Sequence, residues 1–566
     1  MSLTLSDVIL ILAVAWPLLV ATLLVLPGMR PVGRVLTPWT ALPALVLSTL
    51  PADTLRLPAV MLGAGLELDG TGRVFLILIA SLWLASGILL RDRLRAASSN
   101  LFATMLLLAM LGSFSLVLSD NALLFFAAST VAGYSLYGAL VHDTDSQTRT
   151  AGKVLVVLLV LSDLLVFEVL LLLGQAAGTT DFVSLRQVFV DLENANLVLG
   201  LLIIGFGVKL GILGVHFWVP PVFSRAEPGL LPALVAFMFG AGLLGGLRLI
   251  PLGQIEATGA ASSLQWLAWV TLAYAGFAGM GQVLRRSVLG YATIVLGSLW
   301  LVVLSACLQQ PALWKALAYP SAAALVQSGA ALTAILLIHK ANNPVSSRLR
   351  SMLTGLAVLL LAMSPLGLVS VVSGQLPIVS ILSTMAVIAL LAGRTFFLED
   401  TNPLAGSVDR NGRSAEGAAS YPIKTPPIPV WVIAALITVA MLVAGYQFLH
   451  VAPGEVVTGF LIVLTALLMV VLNARWRILR LPAFAPGDVL VYSINGLVLV
   501  RNGAGRLLAD CLERWSDIVQ ALDRHIRPLA TISDIAGLVE SVLLRWSVAL
   551  SLLLLLGLLV AWLALT

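Results

Sequence analysis

Residues 197–251 read LVLGLLIIGFGVKLGILGVHFWVPPVFSRAEPGLLPALVAFMFGAGLLGGLRLIP, and this stretch decides the fold. A long apolar run is interrupted by one cation, Lys209. His216-Phe217-Trp218-Val219-Pro220 follows, then a short polar turn around Arg225, Glu227 and Pro228. A second apolar run closes at Arg248. A lysine deep in a membrane span costs roughly 2.5–3.5 kcal/mol on insertion scales, so it faces a protein interior or a wet cavity. Its stem reaches about one helical turn, too short for Lys209 to reach either end of its run. A lone buried ammonium tends to lose its proton unless an anion sits beside it. Lys209 is therefore the first candidate for function, with a purely structural role as the alternative.

The surrounding chain is of the same kind. Of its 566 residues, 60% are hydrophobic and 10% charged, with a mean hydropathy of +1.05. These values exclude a soluble globular protein and define an all-α polytopic membrane protein. Runs long enough to cross a bilayer number about 16, about 14 of them forming the core. Strands are not expected, because the runs lack the alternation of a membrane barrel. The first span starts at Asp7 without a basic n-region or a cleavage site and reads as a retained helix. The net charge of +5 falls mostly in alternate loops, as membrane topology requires, and asks for no nucleic acid. Cys307 and Cys511 stand alone, and the five histidines form no ligand pattern. No metal, iron–sulfur or disulfide framework is expected from them. No G-x-G-x-x-G follows a strand and no haem-ligand pair is visible, so no cofactor is expected.

In chain order, residues 1–100 carry N-terminal spans over 7–27, 35–50 (the weaker) and 72–90. Residues 101–250 carry 101–118, a span from the Ser119-Asp120-Asn121 turn to His142-Asp143, one over 154–174, and the central stretch. A polar loop is expected between the third of these and Asn196. Residues 251–398 carry spans over 263–284, 288–308, 313–338, 353–372 and 376–392. A loop rich in Gly, Ser, Pro and charge covers 399–429 and marks a boundary. C-terminal spans near 430–449 and 457–472 fall within 430–480. An amphipathic cytoplasmic segment falls within 481–545. Over 506–526 its apolar residues recur at three- and four-residue spacing, the pattern of a helix lying on a membrane or a partner. A last span occupies 546–566. The positive-inside rule puts the N-terminus outside. Arg30/Arg34, Arg91 to Arg95, Arg149/Lys153, Arg225, Arg285/Arg286, Lys340/Arg348/Arg350 and Arg475 to Arg480 then share the cytoplasmic side.

Several motifs carry a resemblance. Lys209, then His216, Trp218 and Pro220, then Pro228 and Ala233-Leu234, look like a lysine, an H-x-W-L-P turn and a P-x-x-V-S-A-L helix. Arg285-Arg286-Ser287-Val288-Leu289-Gly290-Tyr291-Ala292-Thr293, followed by Gly297, looks like a D-I-K-R-L-L-A-Y-S-T signature. Asp69-Gly70 and Ser119-Asp120-Asn121 fit as well. Together they resemble the antiporter-like subunits of respiratory complex I, of Mrp-type cation/proton antiporters and of energy-converting hydrogenase membrane arms. The resemblance covers roughly residues 60–400. It implies two inverted five-helix repeats, over about 101–248 and 263–392, with helices broken near the midplane. It also implies a bacterial inner membrane and partner subunits, another antiporter-like subunit among them. Protons or sodium would move through buried ionisable groups.

The chain departs from that family at most of its relay positions. Ser129, in Leu124-Phe125-Phe126-Ala127-Ala128-Ser129, stands where the family glutamate would pair with Lys209. No Lys or His lies between Pro228 and Arg248. Gln327 aligns with a family lysine, with His339 matching a histidine twelve residues on. Ser364-Pro365-Leu366 is followed by no lysine or glutamate before Gly374.

The expected path is thus short: Lys209, Asp163, His216, Ser129, Gln327, Glu168 and His339. Asp163 is the best partner for Lys209; Glu168, five residues on, points to another face. One of these two acids is open to a membrane-edge role. His216 reads as a hinge-capping residue or as a proton carrier. Ser129 and Gln327 bind water but hold no proton at neutral pH. His339 is also simply a topology signal. Two functions stay open. One is ion translocation within a pumping complex. The other is a transport-inactive structural or coupling subunit that holds a neighbouring pump. It could equally anchor a soluble cytoplasmic enzyme, including an inorganic-carbon uptake partner.

Overall fold

Prolines cut the N-terminal region into pieces. Helix α1 (Leu5–Val25) is followed by α2 (Arg30–Leu36), a 3-10 turn (Thr37–Trp39) and α3 (Leu42–Leu47). The single span expected over 35–50 is therefore not one helix. Pro31, Pro38 and Pro43 each sit in the first turn of a new piece. Proline is tolerated there and ends whatever helix precedes it. The computed structural model describes residues 5–50, 54–56, 65–96, 99–338, 347–369, 377–395 and 453–476, with positions 371, 398 and 451 and parts of 437–444. The chain divides into two units, Met1–Val489 and Leu490–Thr566, and the described residues belong to the first.

Acids and amides then set the helix starts. Asp69 opens α4 (Gly70–Leu89) by accepting the Gly72 N–H at 2.7 Å. A short α5 (Arg91–Arg95) leads to α6 (Asn100–Leu118). Asn121 opens α7 (Ala122–Val141) by accepting the Leu124 N–H at 2.8 Å. Such side-chain caps satisfy amides that the helix itself leaves unpaired. Asp145 opens α8 (Ser146–Ala177). Burial works against its ionisation, but the bonds from Thr148 and the nearby Arg225 outweigh it and hold the carboxyl below its usual range. At 32 residues, α8 is about 48 Å long and exceeds the ~30 Å apolar core of a bilayer.

The polar loop expected after α8 contains a further helix, α9 (Phe182–Asp191). Asp181 caps it, and Phe182, Leu185 and Phe189 are its buried face. Strands also occur, though not as membrane spans. Leu55–Arg56 pairs antiparallel with Gly65–Leu66, and Leu66 bridges to Ser119 at the α6–α7 turn.

The rest of the described chain is α10 (Ala195–Leu210), α11 (Val219–Arg225), α12 (Leu231–Leu249), α13 (Thr258–Met280), α14 (Arg285–Gln309), α15 (Trp314–Ile338), α16 (Ser347–Ala362), α17 (Leu366–Val369), α18 (Pro377–Arg394) and α19 (Pro453–Trp476). Among the described residues nine helices are long and apolar enough to cross a membrane, with three shorter apolar helices besides. Helices α12 and α14 form the centre: every residue of α12 but Leu247 is buried. A helix apolar on all sides belongs in such a position. Helix α8 is peripheral, with an inner buried face and an outer exposed one.

Among the described residues two helices are discontinuous. Counting α6, α7, α8, α10, α12, the fourth stops at Leu210 and the chain resumes at Val219. Counting α13, α14, α15, α16, α18, the fourth stops at Ala362 and resumes at Leu366, after Pro365. His339, the 399–429 loop, the 506–526 helix and the last span lie outside the described residues.

Candidate functional site

The break in α10 creates the site. Gly211 takes the left-handed conformation, with φ at 69°. The Gly211 N–H then returns to the Val208 carbonyl and the Ile212 N–H to that of Gly207, a common way to close a helix. Trp218 completes the ending: its Nε1 donates to the Val208 carbonyl at 2.7 Å. A Cβ on Gly211 would lie 2.8 Å from the Val219 side chain. Gly211→Ala is therefore expected to cost about 1–3 kcal/mol in strain. Thermal unfolding of detergent-purified protein would read this as a lower midpoint.

Lys209 lies in the last turn of α10 and is 2% exposed. A cation is favoured there by the carbonyl end of the helix. Its Nζ donates to Asp163 Oδ1 at 3.0 Å and to Ser162 Oγ at 2.8 Å. Ser162 Oγ donates in turn to the Gly205 carbonyl at 2.7 Å, tying α8 to α10. Gly205 permits the close approach, since a Cβ there would sit 2.9 Å from Val166. Small residues serve this purpose between membrane helices. From α7, Thr130 Oγ1 lies 3.5 Å from Asp163 Oδ2, and Tyr134, one turn on, also neighbours Asp163. The result is a buried ammonium–carboxylate pair ringed by hydroxyls from two helices. Hydroxyls both donate and accept, so they can pass a proton to or from such a pair.

The other expected residues are placed differently. Ser129 is buried on α7 beside Thr130, and its hydroxyl has no partner among the described residues. The acid that neutralises Lys209 thus comes from α8 rather than α7. Gln327 is fully buried on α15, and its Nε2 donates to the Leu360 carbonyl at 2.8 Å. Leu360 stands third from the end of α16, as Val208 stands third from the end of α10. Gln327 therefore closes one broken helix as Trp218 closes the other. His216 is 2% exposed, with its ring centroid 4.6 Å from Phe217 and 4.9 Å from Tyr274. The capping bond within its motif is made by Trp218. Glu168 lies on the exposed face of α8, away from the pair.

Sequence reading passed over Ser162, Thr130 and Tyr134, and it took Arg248 as the end of a run. Arg248 is a buried clamp. Its Nη1 donates to the carbonyls of Leu116 (3.2 Å) and Ser119 (2.7 Å) and to Ser119 Oγ (2.9 Å). Its Nη2 donates to the Val117 carbonyl at 2.7 Å and reaches Asp69 at 3.5 Å. These carbonyls end α6, so one guanidinium closes α6 and fastens α12 to it. At the opposite ends of these helices, Arg93 pairs with Glu227 and Arg286 donates to the Ala226 carbonyl at 3.2 Å. The polar turn after α11 is thereby fixed.

These features define a polytopic helical membrane protein built around a discontinuous helix and a buried lysine. The family model described as "NADH:quinone oxidoreductase/Mrp antiporter, TM" matches residues 117–393. Over those residues the chain resembles that antiporter-like family. Hydrogenase-4 component B of Escherichia coli (strain K12) is 25% identical over 153 residues, 27% of this chain and 22% of that protein. NADH-quinone oxidoreductase subunit N of Thiobacillus denitrificans is 27% identical over 277 residues, 42% of this chain and 56% of that protein. The match thus spans less than two thirds of either relative. The Mrp complex from Dietzia sp. DQ12-45-1b contains a chain with TM-score 0.66 and 15% identity, over 98% of this chain and 63% of that one. Respiratory complex I from Thermus thermophilus gives 0.56 and 18%, over 77% and 97%. At these identities the structural likeness concerns the fold.

Proposed function

We propose that the chain is a membrane subunit of a multi-subunit ion-pumping complex and translocates protons or sodium along a polar path centred on Lys209. The observation that carries this reading is the Lys209–Asp163 pair, enclosed where α10 breaks. A buried ion pair repays its desolvation poorly as a source of stability. Inside a membrane such groups mark ion pathways. The relatives, an NADH-quinone oxidoreductase subunit N and a hydrogenase component, support partner subunits in the same membrane. We further propose a bacterial inner membrane, with the N-terminus and the Gly178 end of α8 outside. Residues 101–250 and 251–398 would be the two repeats, consistent with a break in the fourth helix of each set.

A second reading, a subunit that keeps the skeleton without transporting, draws on Gln327. Its amide is engaged in closing α16, and an amide holds no proton at neutral pH. Proton flux in vesicles carrying the assembled complex separates the two readings. The variant is Lys209→Gln combined with Asp163→Asn, which removes both charges together. Loss of at least tenfold in flux with assembly intact is expected. Unchanged flux would sink transport by this chain and leave the structural reading.

A further inference from the structure

Glu168 is an acid in the wrong place for a lipid-facing helix. It lies nine residues before the Ala177 end of α8 and fifteen after Lys153. That is about 13 Å and about 22 Å along the helix. Because α8 is longer than the ~30 Å apolar layer, that layer counted from Lys153 ends near residue 173, about 7 Å beyond Glu168 and still farther than a glutamate side chain reaches. Yet it is exposed, and no described residue of this chain gives it a hydrogen bond or an ion pair. Asp163 and Ser162, on the opposite face of α8, are turned inward to Lys209.

The residues flanking Glu168 on the outer face are evenly spaced. Val157, Leu161, Leu164, Glu168, Leu171 and Gln175 alternate steps of four and three. All six are exposed, Val157 at 61%, Leu164 at 60% and Leu171 at 52%. This spacing is the seam along which one helix packs against another, and a single polar residue in a seam fixes register and partner choice. We infer that this face of α8 is a docking surface for a transmembrane helix of another subunit, one that carries a lysine or arginine at the depth of Glu168. The inference rests on the reading of the chain as part of a larger membrane assembly. Charge complementarity selects the occupant. Lipid tails would leave the carboxylate without a partner. A second copy on a two-fold axis would set Glu168 against its like, and like charges disfavour each other's ionised forms.

The test uses the assembled complex in its own membrane. A photocrosslinking residue is placed at Leu164 and, separately, at Leu171, and the captured peptide is mapped by mass spectrometry. Both positions should capture one helix of another subunit, with a Lys or Arg within one turn of the captured site. Glu168→Lys should lower co-purification of that subunit at least tenfold. Changing the mapped basic residue to Glu in the same background should restore it, and Glu168→Gln should have a smaller effect. Capture of lipid, of a second copy, or of residues 546–566 of this chain would overturn the proposal. So would a captured helix without a basic residue at that depth, or normal co-purification with Glu168→Lys. If Glu168→Lys fails to accumulate, the crosslink map and the basic-to-Glu change on the partner decide alone. A chain that purifies with no other subunit overturns the assembly reading itself. A chain that purifies with subunits that do not crosslink here overturns only the assignment of this face.

Discussion

Asp163→Ala is expected to lower the stability of the protein by about 3–5 kcal/mol, because it leaves the Lys209 ammonium enclosed without its counter-charge. Lys209→Ala should cost a similar amount, for the mirror-image reason. The two losses should not add. In Lys209→Met combined with Asp163→Leu, no charge is buried and the interior is filled with apolar atoms of similar size. That double variant should recover most of the stability lost by either single one. The coupling between the sites, read from unfolding of the wild type, Lys209→Met, Asp163→Leu and the double variant, should exceed about 4 kcal/mol, since two losses of about 3–5 kcal/mol collapse to one small one. Simple additivity would contradict the pair as described, whatever the flux measurements give.

Arg248→Ala should be the more damaging change outside that pair. One guanidinium serves the carbonyls of Leu116, Val117 and Ser119 and the Ser119 hydroxyl. Each buried carbonyl left unpaired costs about 1–3 kcal/mol, so a loss of about 3 kcal/mol or more is expected. Arg248→Lys should recover only part of it, because an ammonium cannot spread its donors over the same fork. Yield of assembled protein and its unfolding midpoint are the readouts. A cost below about 0.5 kcal/mol for Arg248→Ala would mean that water serves the end of α6 as well as the arginine does.

Fold class and the central pair were legible in the sequence because both follow from cost. Uninterrupted apolar runs leave no choice but membrane helices, and a lysine within one demands an acid nearby. Asp163, one position from a serine in a long apolar run, was the natural candidate, and the structure joins the two. Other features depend on which helix faces which, and spacing along one chain does not carry that. Gln327 looked like a weakened relay group; its bond to Leu360 crosses from α15 to α16. The capping role considered for His216 belongs to Trp218, two residues later in the same motif. Arg248 looked like a terminus because its partners come from a stretch more than a hundred residues earlier. Helix α9 was hidden by brevity: three apolar anchors in ten residues are a faint signal among polar neighbours. The divided helix at 30–47 was readable in principle from Pro31, Pro38 and Pro43, which outweigh the hydropathy of the stretch.

The move of the counter-charge onto α8 also changes how far the lysine can be felt. Two opposite charges 3.0 Å apart act on their surroundings as a dipole rather than as a bare ion. Along its axis at 10 Å, such a dipole retains only about a quarter of the single-charge interaction. Lys209 is therefore electrically quiet toward the rest of the membrane while Asp163 stays beside it. Its field would emerge only if α8 shifted outward, and α8 is the peripheral helix whose outer face carries Glu168. A neighbour that pulled on that helix would act as a switch for the lysine, turning a small mechanical displacement into a change of local potential.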